Sequence, residues 1–235
     1  MPKPTVVLVH GAFAESASWN GVMARLRRAG CPTIAAANPL RGLSSDADSV
    51  RSLLMAIDGP VVLVGHSYGG SVISAAAHGL ADVRALVFVA AFAPEEGESI
   101  GELSNRLPGS TLAQTLWPVP RADGSTDLYI RQDAYAEQFA DDLGEDDAAL
   151  GAAGQRPLRD LALDEGAPAS AWRSVPSWFI WPELDRNIPA AAHRFMAERA
   201  GAREAIEISG ASHALPASRP DDVAALILRA IAAVC

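Results

Sequence analysis

Six short runs rich in β-branched residues recur along the chain: Thr5 to Val9, Thr33 to Ala36, Pro60 to Val64, Arg84 to Ala90, Ser177 to Trp181 and Glu204 to Ile208. They are apolar on both alternating faces, the pattern of strands covered on both sides in a parallel sheet. Helical patterns lie between them, at Trp19 to Ala29, Asp46 to Ile57, Gly69 to His78, Ala190 to Ala200, and from Pro220 to the C-terminus. A parallel pair needs a crossover, and helices supply it, so the alternation specifies an α/β fold with helices on both faces of the sheet. Local punctuation agrees. Gly30 follows Arg27 and Arg28 as a C-terminal cap, and Pro220 opens the last helix with Asp221 and Asp222 in its first turn.

The alternation breaks between Pro94 and Trp172. This stretch is too long for an ordinary loop. Helical pieces are expected around Glu102 to Leu107, Asp133 to Leu143 and Asp146 to Ala153, and the segment reads as a helical cap, 94–172, inserted into one domain that spans 1–235. Its acidic run, Asp141, Asp142, Glu145, Asp146 and Asp147, lacks the alternating ligand spacing of a calcium loop and reads as a solvated helix face.

Composition excludes several function classes. The 235 residues are 49% hydrophobic, enough for one substantial core, and a formal charge of -9 argues against a nucleic-acid partner. Lys3 is the only lysine, which leaves almost nowhere for Schiff-base chemistry. Two cysteines, Cys31 and Cys235, lack the density of a disulfide framework or a zinc site and suit a reducing compartment. No leader peptide is visible, and the most apolar later stretch, Ala85 to Ala93, falls well short of the roughly 20 residues that span a bilayer. The expectation is a cytoplasmic protein without a membrane partner, able to exist as a homodimer.

The sharpest chemical signal is Val61 to Val72, VVLVGHSYGGSV, in which Gly65-His66-Ser67-Tyr68-Gly69 has the G-x-S-x-G pattern. The bare pattern is weak, but here a strand precedes it and a helix follows. That places Ser67 on a sharp strand-to-helix turn, with its hydroxyl above the C-terminal edge of the sheet. An acyl-transfer nucleophile needs donors for its oxyanion. The first strand ends in His10-Gly11-Ala12-Phe13, so the amides of Ala12 and Tyr68 can face one point. Of the five histidines, His213 lies in a loop after the last strand at the same sheet edge. His10 reads as a loop-holding ring, His66 as part of the packed turn, and His78 and His193 as helix residues away from that edge. The acid should follow the preceding strand, where Asp185 is favoured over Glu183. The order Ser67, Asp185, His213 is that of the strand-to-helix nucleophile fold.

On these segments (VLVHGAFAESASW, VGHSYGGSV, Asp185-Arg186-Asn187-Ile188-Pro189 and Gly210-Ala211-Ser212-His213) the chain resembles the α/β-hydrolase superfamily. The first is similar to the plant methylesterase and hydroxynitrile lyase group and to small bacterial esterases. The resemblance implies a mostly parallel sheet of about six strands, because the chain starts at the strand before the oxyanion turn. It also implies a carboxylesterase-like serine hydrolase that cleaves a small ester or lactone through an acyl-enzyme, without a cofactor or a metal. Gly11 and Ala214 stand where hydroxynitrile lyases carry threonine and lysine, so cyanide lyase activity is disfavoured, and Ser67 disfavours the aspartate-nucleophile members. A C-C bond hydrolase, a perhydrolase and a receptor-like binding protein with little turnover are the alternatives. Phe13, Trp19, Phe92, Trp117 and Trp172 are the candidates for the substrate pocket, beside Tyr68.

Overall fold

The computed structural model describes residues 3 to 234; Cys235 lies outside them. Nine strands follow one another as β1 (Thr5–Val9), β2 (Thr33–Ala36), β3 (Val61–His66), β4 (Val83–Val89), β5 (Leu116–Pro120), β6 (Thr126–Ile130), β7 (Leu158–Arg159), β8 (Ser177–Pro182) and β9 (Glu204–Ile208). The helices are α1 (Asn20–Arg28), α2 (Leu43–Met55), α3 (Tyr68–Ala76), α4 (Ile100–Arg106), α5 (Leu112–Thr115), α6 (Gln132–Phe139), α7 (Glu145–Gly154), α8 (Leu161–Asp164), α9 (Ala190–Arg199), α10 (Leu215–Ser218) and α11 (Pro220–Val234).

Six strands form one sheet in the order β2-β1-β3-β4-β8-β9, and every pairing in it is parallel. The fold is that of an α/β hydrolase, with helices on both faces. Val6, Leu8, Val62, Val64, Val87 and Ile180 pack beneath α1 and α11, whereas Val7, Val9, Leu63, Leu86, Phe88 and Phe179 face α2, α3 and α9. Phe88 and Phe179 stack across β4 and β8 with ring centroids 4.5 Å apart. The chain leaves β1 toward β2 and returns on the other side to β3, so the order reverses between β1 and β3. Loops after these two strands diverge and leave a crevice at the C-terminal edge, the place where open α/β sheets bind ligands. Among the described residues no helix is long and apolar enough to cross a membrane.

Helix α2 begins three residues before the expected Asp46, and the cause is electrostatic. Glu165, far along the chain, accepts the amides of Leu43 (2.7 Å) and Ser44 (3.1 Å), while Asp46 turns back to accept the Arg41 amide at 3.0 Å. Glu165 thus satisfies two orphan donors of the first turn, and Asp46 holds the peptide that leads into it.

The segment between β4 and β8 departs further from expectation. The three expected helical pieces are there as α4, α6 and α7, but the segment also holds an unexpected three-stranded antiparallel sheet, β5-β6-β7. The hairpin signal was present in Asp123-Gly124, with Gly124 at φ +82°. Pro118 and Pro120 spoke against a strand, but β5 is an edge strand, the one position that tolerates proline. Arg41 anchors this sheet to the core, donating to Asp127 at 2.6 Å and to the Pro157 carbonyl at 2.9 Å.

The tightest backbone contact joins the β3–α3 turn to the end of β1. A Cβ built on Gly69 would lie 2.5 Å from the Val9 carbonyl oxygen and 2.9 Å from that of His10, both main-chain atoms that cannot swing aside. Gly69→Ala should therefore destabilise by about 3 kcal/mol or give no folded protein. Gly154→Ala, at a helix end with nothing within 4 Å, should be neutral or stabilising by up to about 1 kcal/mol. Urea midpoints of the purified variants check this pair, and a Gly69→Ala protein as stable as the parent would contradict the packing described.

Candidate active site

Ser67 lies between β3 and α3 at φ +53°, ψ -124°, a left-handed conformation costing a non-glycine residue on the order of 1–3 kcal/mol. Three bonds hold it there. Its amide donates to Val89 O (3.3 Å), and its carbonyl accepts the amides of Gly70 (3.0 Å) and Phe92 (3.1 Å). The turn after β1 lies directly against it, because a Cβ on Gly11 would come 2.6 Å from Ser67 Cβ and 3.3 Å from Oγ. Only glycine allows that approach.

Beside Gly11, Phe13 is also left-handed (φ +60°) and both of its backbone groups are committed: its amide donates to Arg156 O and its carbonyl accepts the Tyr135 hydroxyl, each at 2.9 Å. Among the described residues the Ala12 amide joins none of the surrounding loop bonds. Nor does that of Tyr68, whose place at the start of α3 leaves it without an intrahelical partner. The Tyr68 hydroxyl donates to Asp46 at 2.9 Å and fixes the first turn of α3 from beneath. His10 Nε2 accepts the Asn38 amide (3.1 Å), so its proton is on Nδ1, which donates to Gly11 O (2.9 Å). Burial holds this ring down to about 4 and hence neutral, the loop-holding role read from the sequence.

Asp185, after β8, is fully buried and accepts four hydrogen bonds. Oδ1 takes the amides of Asn187 (2.8 Å) and Ile188 (2.9 Å), while Oδ2 takes His213 Nδ1 (2.7 Å) and His193 Nε2 (3.0 Å). Burial pushes its carboxyl up, but the two imidazoles outweigh it and leave the group well below the usual carboxylate range. An ionised Asp185 can only accept, so each ring places a proton toward it. For His213 this leaves Nε2 with its lone pair, and among the described residues that buried atom has no hydrogen-bond partner. Glu183 does something else: it accepts the Ser209 hydroxyl (2.6 Å) and the Gly210 amide (3.0 Å) and steadies the same loop from outside.

His66, beside the serine, donates from Nε2 to the His213 carbonyl at 2.9 Å, and burial lowers its pKa to about 3. Helix α6 reaches all three loops of the site. Tyr135 bonds the Phe13 carbonyl. Gln138 donates to Arg186 O (2.9 Å) and Asn187 Oδ1 (2.7 Å). The Phe139 carbonyl accepts the Ala214 amide (2.8 Å), with the Phe139 ring edge-on to His213 at 4.9 Å.

Two cavities flank this centre. One, of about 290 Å³, is lined by Phe13 and five leucines (Leu107, Leu112, Leu116, Leu128 and Leu163) with Ser104, Asn105 and Ser110 among others; the other, of about 390 Å³, by Ala14, Tyr135, Phe139, Leu143, Leu150 and Ala214 among others. Of the aromatic candidates only Phe13 lines either. Trp19 is buried on the opposite sheet face, where it packs edge-on to His66. Phe92 is buried beside the serine turn, its amide on Ser67 O. Trp172 is a structural anchor, donating its indole N–H to Pro94 O at 2.8 Å, and Trp117 is 54% exposed on the outer face of β5 against Tyr129. Both tryptophans therefore leave the list of pocket residues: the first is consumed by core packing and the second sits on an edge strand facing out. Tyr135 and Gln138 were missed, and His193, read as a helix residue away from this edge, instead lies 3.0 Å from Asp185 Oδ2. His193 falls in the first turn of the helix that follows the acid loop, and that adjacency was its only signal.

Residues 6–226 match the Alpha/beta hydrolase family. The chain is 27% identical to Alpha/beta hydrolase nvfD of Aspergillus novofumigatus, over 98% of this chain and 97% of that protein. It is 37% identical to the carbendazim hydrolyzing esterase of a Nocardioides species, over 46% of this chain and 50% of that one. The crystal structure of polyneuridine aldehyde esterase superposes with a TM-score of 0.82 at 21% identity, covering 97% and 98% of the two chains, a likeness of fold. With the match running through nearly the whole chain, this protein belongs to the alpha/beta hydrolase family.

Proposed function

We propose that the protein is a carboxylesterase-like serine hydrolase in which Ser67 is the nucleophile, His213 the base, Asp185 the acid that orients it, and the amides of Ala12 and Tyr68 the oxyanion donors. The observation that carries this reading is the 2.7 Å bond from His213 Nδ1 to Asp185 Oδ2, which leaves Nε2 on the other side of the ring from the acid and, among the described residues, without a hydrogen-bond partner. Apo geometry of this kind commonly tightens when substrate is bound. Nε2 takes the Ser67 proton as Oγ attacks the ester carbonyl, and the negative charge passes to the carbonyl oxygen between the two amides. As the tetrahedral adduct collapses, the new imidazolium returns the proton to the departing alkoxide. Water, deprotonated by the same nitrogen, then cleaves the acyl-enzyme. The curated relative named as an esterase supports an ester as the bond attacked.

The cavity beside Phe13 favours an uncharged, apolar substituent on that ester. Its lining holds no charged side chain, and desolvating a charge there would go uncompensated. The segment 94–172 supplies most of that lining, which makes it the cap that selects substrate.

Replacing Ser67 by Ala should leave the fold intact and reduce ester turnover by about 10³-fold or more. Asp185→Asn should lower kcat far more than Glu183→Gln, since only the former loses its charge beside the base; the reverse order would transfer the acid role to Glu183. Filling the small cavity with Leu112→Phe should depress kcat/KM for long acyl esters relative to acetate by about 10-fold. Trp117→Ala should leave that ranking unchanged. A panel of p-nitrophenyl esters reads both, and a ranking altered by Trp117 alone would place the pocket elsewhere.

A further inference from the structure

Asp185 serves one histidine in the reading above, yet its Oδ2 carries two. His193 Nε2 approaches at 3.0 Å, against 2.7 Å for His213 Nδ1, and both rings are about 1% exposed. His193 itself is firmly held: Trp181 stacks on it with ring centroids 6.1 Å apart and planes 15° from parallel, and the Trp181 indole N–H is tied to Glu207 at 3.0 Å. Its helix α9 begins at Ala190, immediately after the loop that supplies the Asn187 and Ile188 amides to Oδ1. The carboxylate is thus gripped from four directions, and without His193 its Oδ2 would be held only by the base it is meant to orient.

We propose that His193 is a positioning residue for the hydrolytic reaction: its Nε2–H fixes and partly neutralises Asp185 Oδ2, so that the acid offers His213 an oxygen of set direction and tempered charge. This rests on the triad assignment given above. A second donor on the shared oxygen withdraws negative charge from the contact with His213. The imidazolium formed during attack is then stabilised less than by a bare carboxylate, while the orientation of the ring stays rigid. Burial holds the His193 ring below the usual imidazole range despite Asp185 and the Ala91 backbone, so the ring is neutral and its one proton is drawn to Nε2 by the charged Asp185 rather than to the Ala91 side. The other titratable groups about the pair are His66, neutral through burial, and Glu207, which reaches His193 through Trp181.

The test compares His193→Phe, which keeps ring volume against Trp181 but removes the donor, with His193→Gln, which returns an N–H of similar reach. Steady-state hydrolysis of p-nitrophenyl acetate is followed from pH 5 to 9. For His193→Phe the plateau kcat should fall about 10-fold at nearly unchanged KM. The acid limb of kcat/KM should move up by about half a unit or more, because Asp185 now bears its charge toward His213 alone. His193→Gln should recover most of both. Unchanged plateau and acid limb in folded His193→Phe would overturn the proposal. So would a fall in kcat with no movement of the limb, since loosened packing alone produces that. If His193→Phe does not fold, long-range 1H–15N NMR of the parent decides: a His193 proton on Nε2 at pH 7 supports the proposal and a proton on Nδ1 alone refutes it. Retained turnover in Asp185→Asn would instead remove the triad assignment itself, a result distinct from either.

Discussion

The architecture depends on how closely two backbone turns meet at the C-terminal edge of the sheet. The turn after β3 presses on the end of β1 so tightly that Gly69 has no room for a Cβ against the Val9 carbonyl, and the turn after β1 presses on Ser67 so tightly that Gly11 has none either. Parallel pairing that runs Val9 opposite Gly65 delivers both turns to the same level. The reversal of strand order between these two strands keeps the space above them open. A serine in a left-handed conformation is what such an approach leaves. The strain at Ser67 and Phe13, on the order of 1–3 kcal/mol each, is offset by the bonds that pin their neighbouring peptides.

The segment inserted after β4 completes the centre as well as covering it. Through Tyr135, Gln138 and the Phe139 carbonyl, one short helix ties the loops after β1, β8 and β9 to one another. Arg41 in turn fastens the insertion to the core through Asp127, which also accepts Arg121 at 2.8 Å. Loops carry chemistry because a rigid scaffold positions them. Here part of the scaffold is the inserted segment itself, which also lines the cavity beside Phe13.

The parallel sheet was legible because each strand is apolar on both faces, and the serine turn because its glycines are forced by close approach. His213 was set apart from the other histidines by its loop after the last strand, and Asp185 from Glu183 by the Asn187-Ile188-Pro189 that follows it. What escaped were features set by contacts distant in sequence. The capping of α2 depends on Glu165, more than a hundred residues away. The β5–β6–β7 sheet was hidden by prolines harmless only on an edge. Trp117 and Trp172 have the same residue type and opposite fates, one exposed and one anchored to Pro94, and nothing in their local sequence separates them. His193 shows the same limit: its helical context was right, but which helix face looks toward Asp185 is a matter of packing.

The central claim is that ester cleavage passes through an acyl group on Ser67. Intact-protein mass spectrometry after rapid acid quench of the protein with a slowly turned-over p-nitrophenyl ester, followed by peptide mapping, tests it directly. The account predicts a mass gain equal to one acyl group, located on Ser67 and absent from Ser67→Ala. Turnover with no acylated protein at any time, or acylation on another residue with full activity in Ser67→Ala, would contradict it.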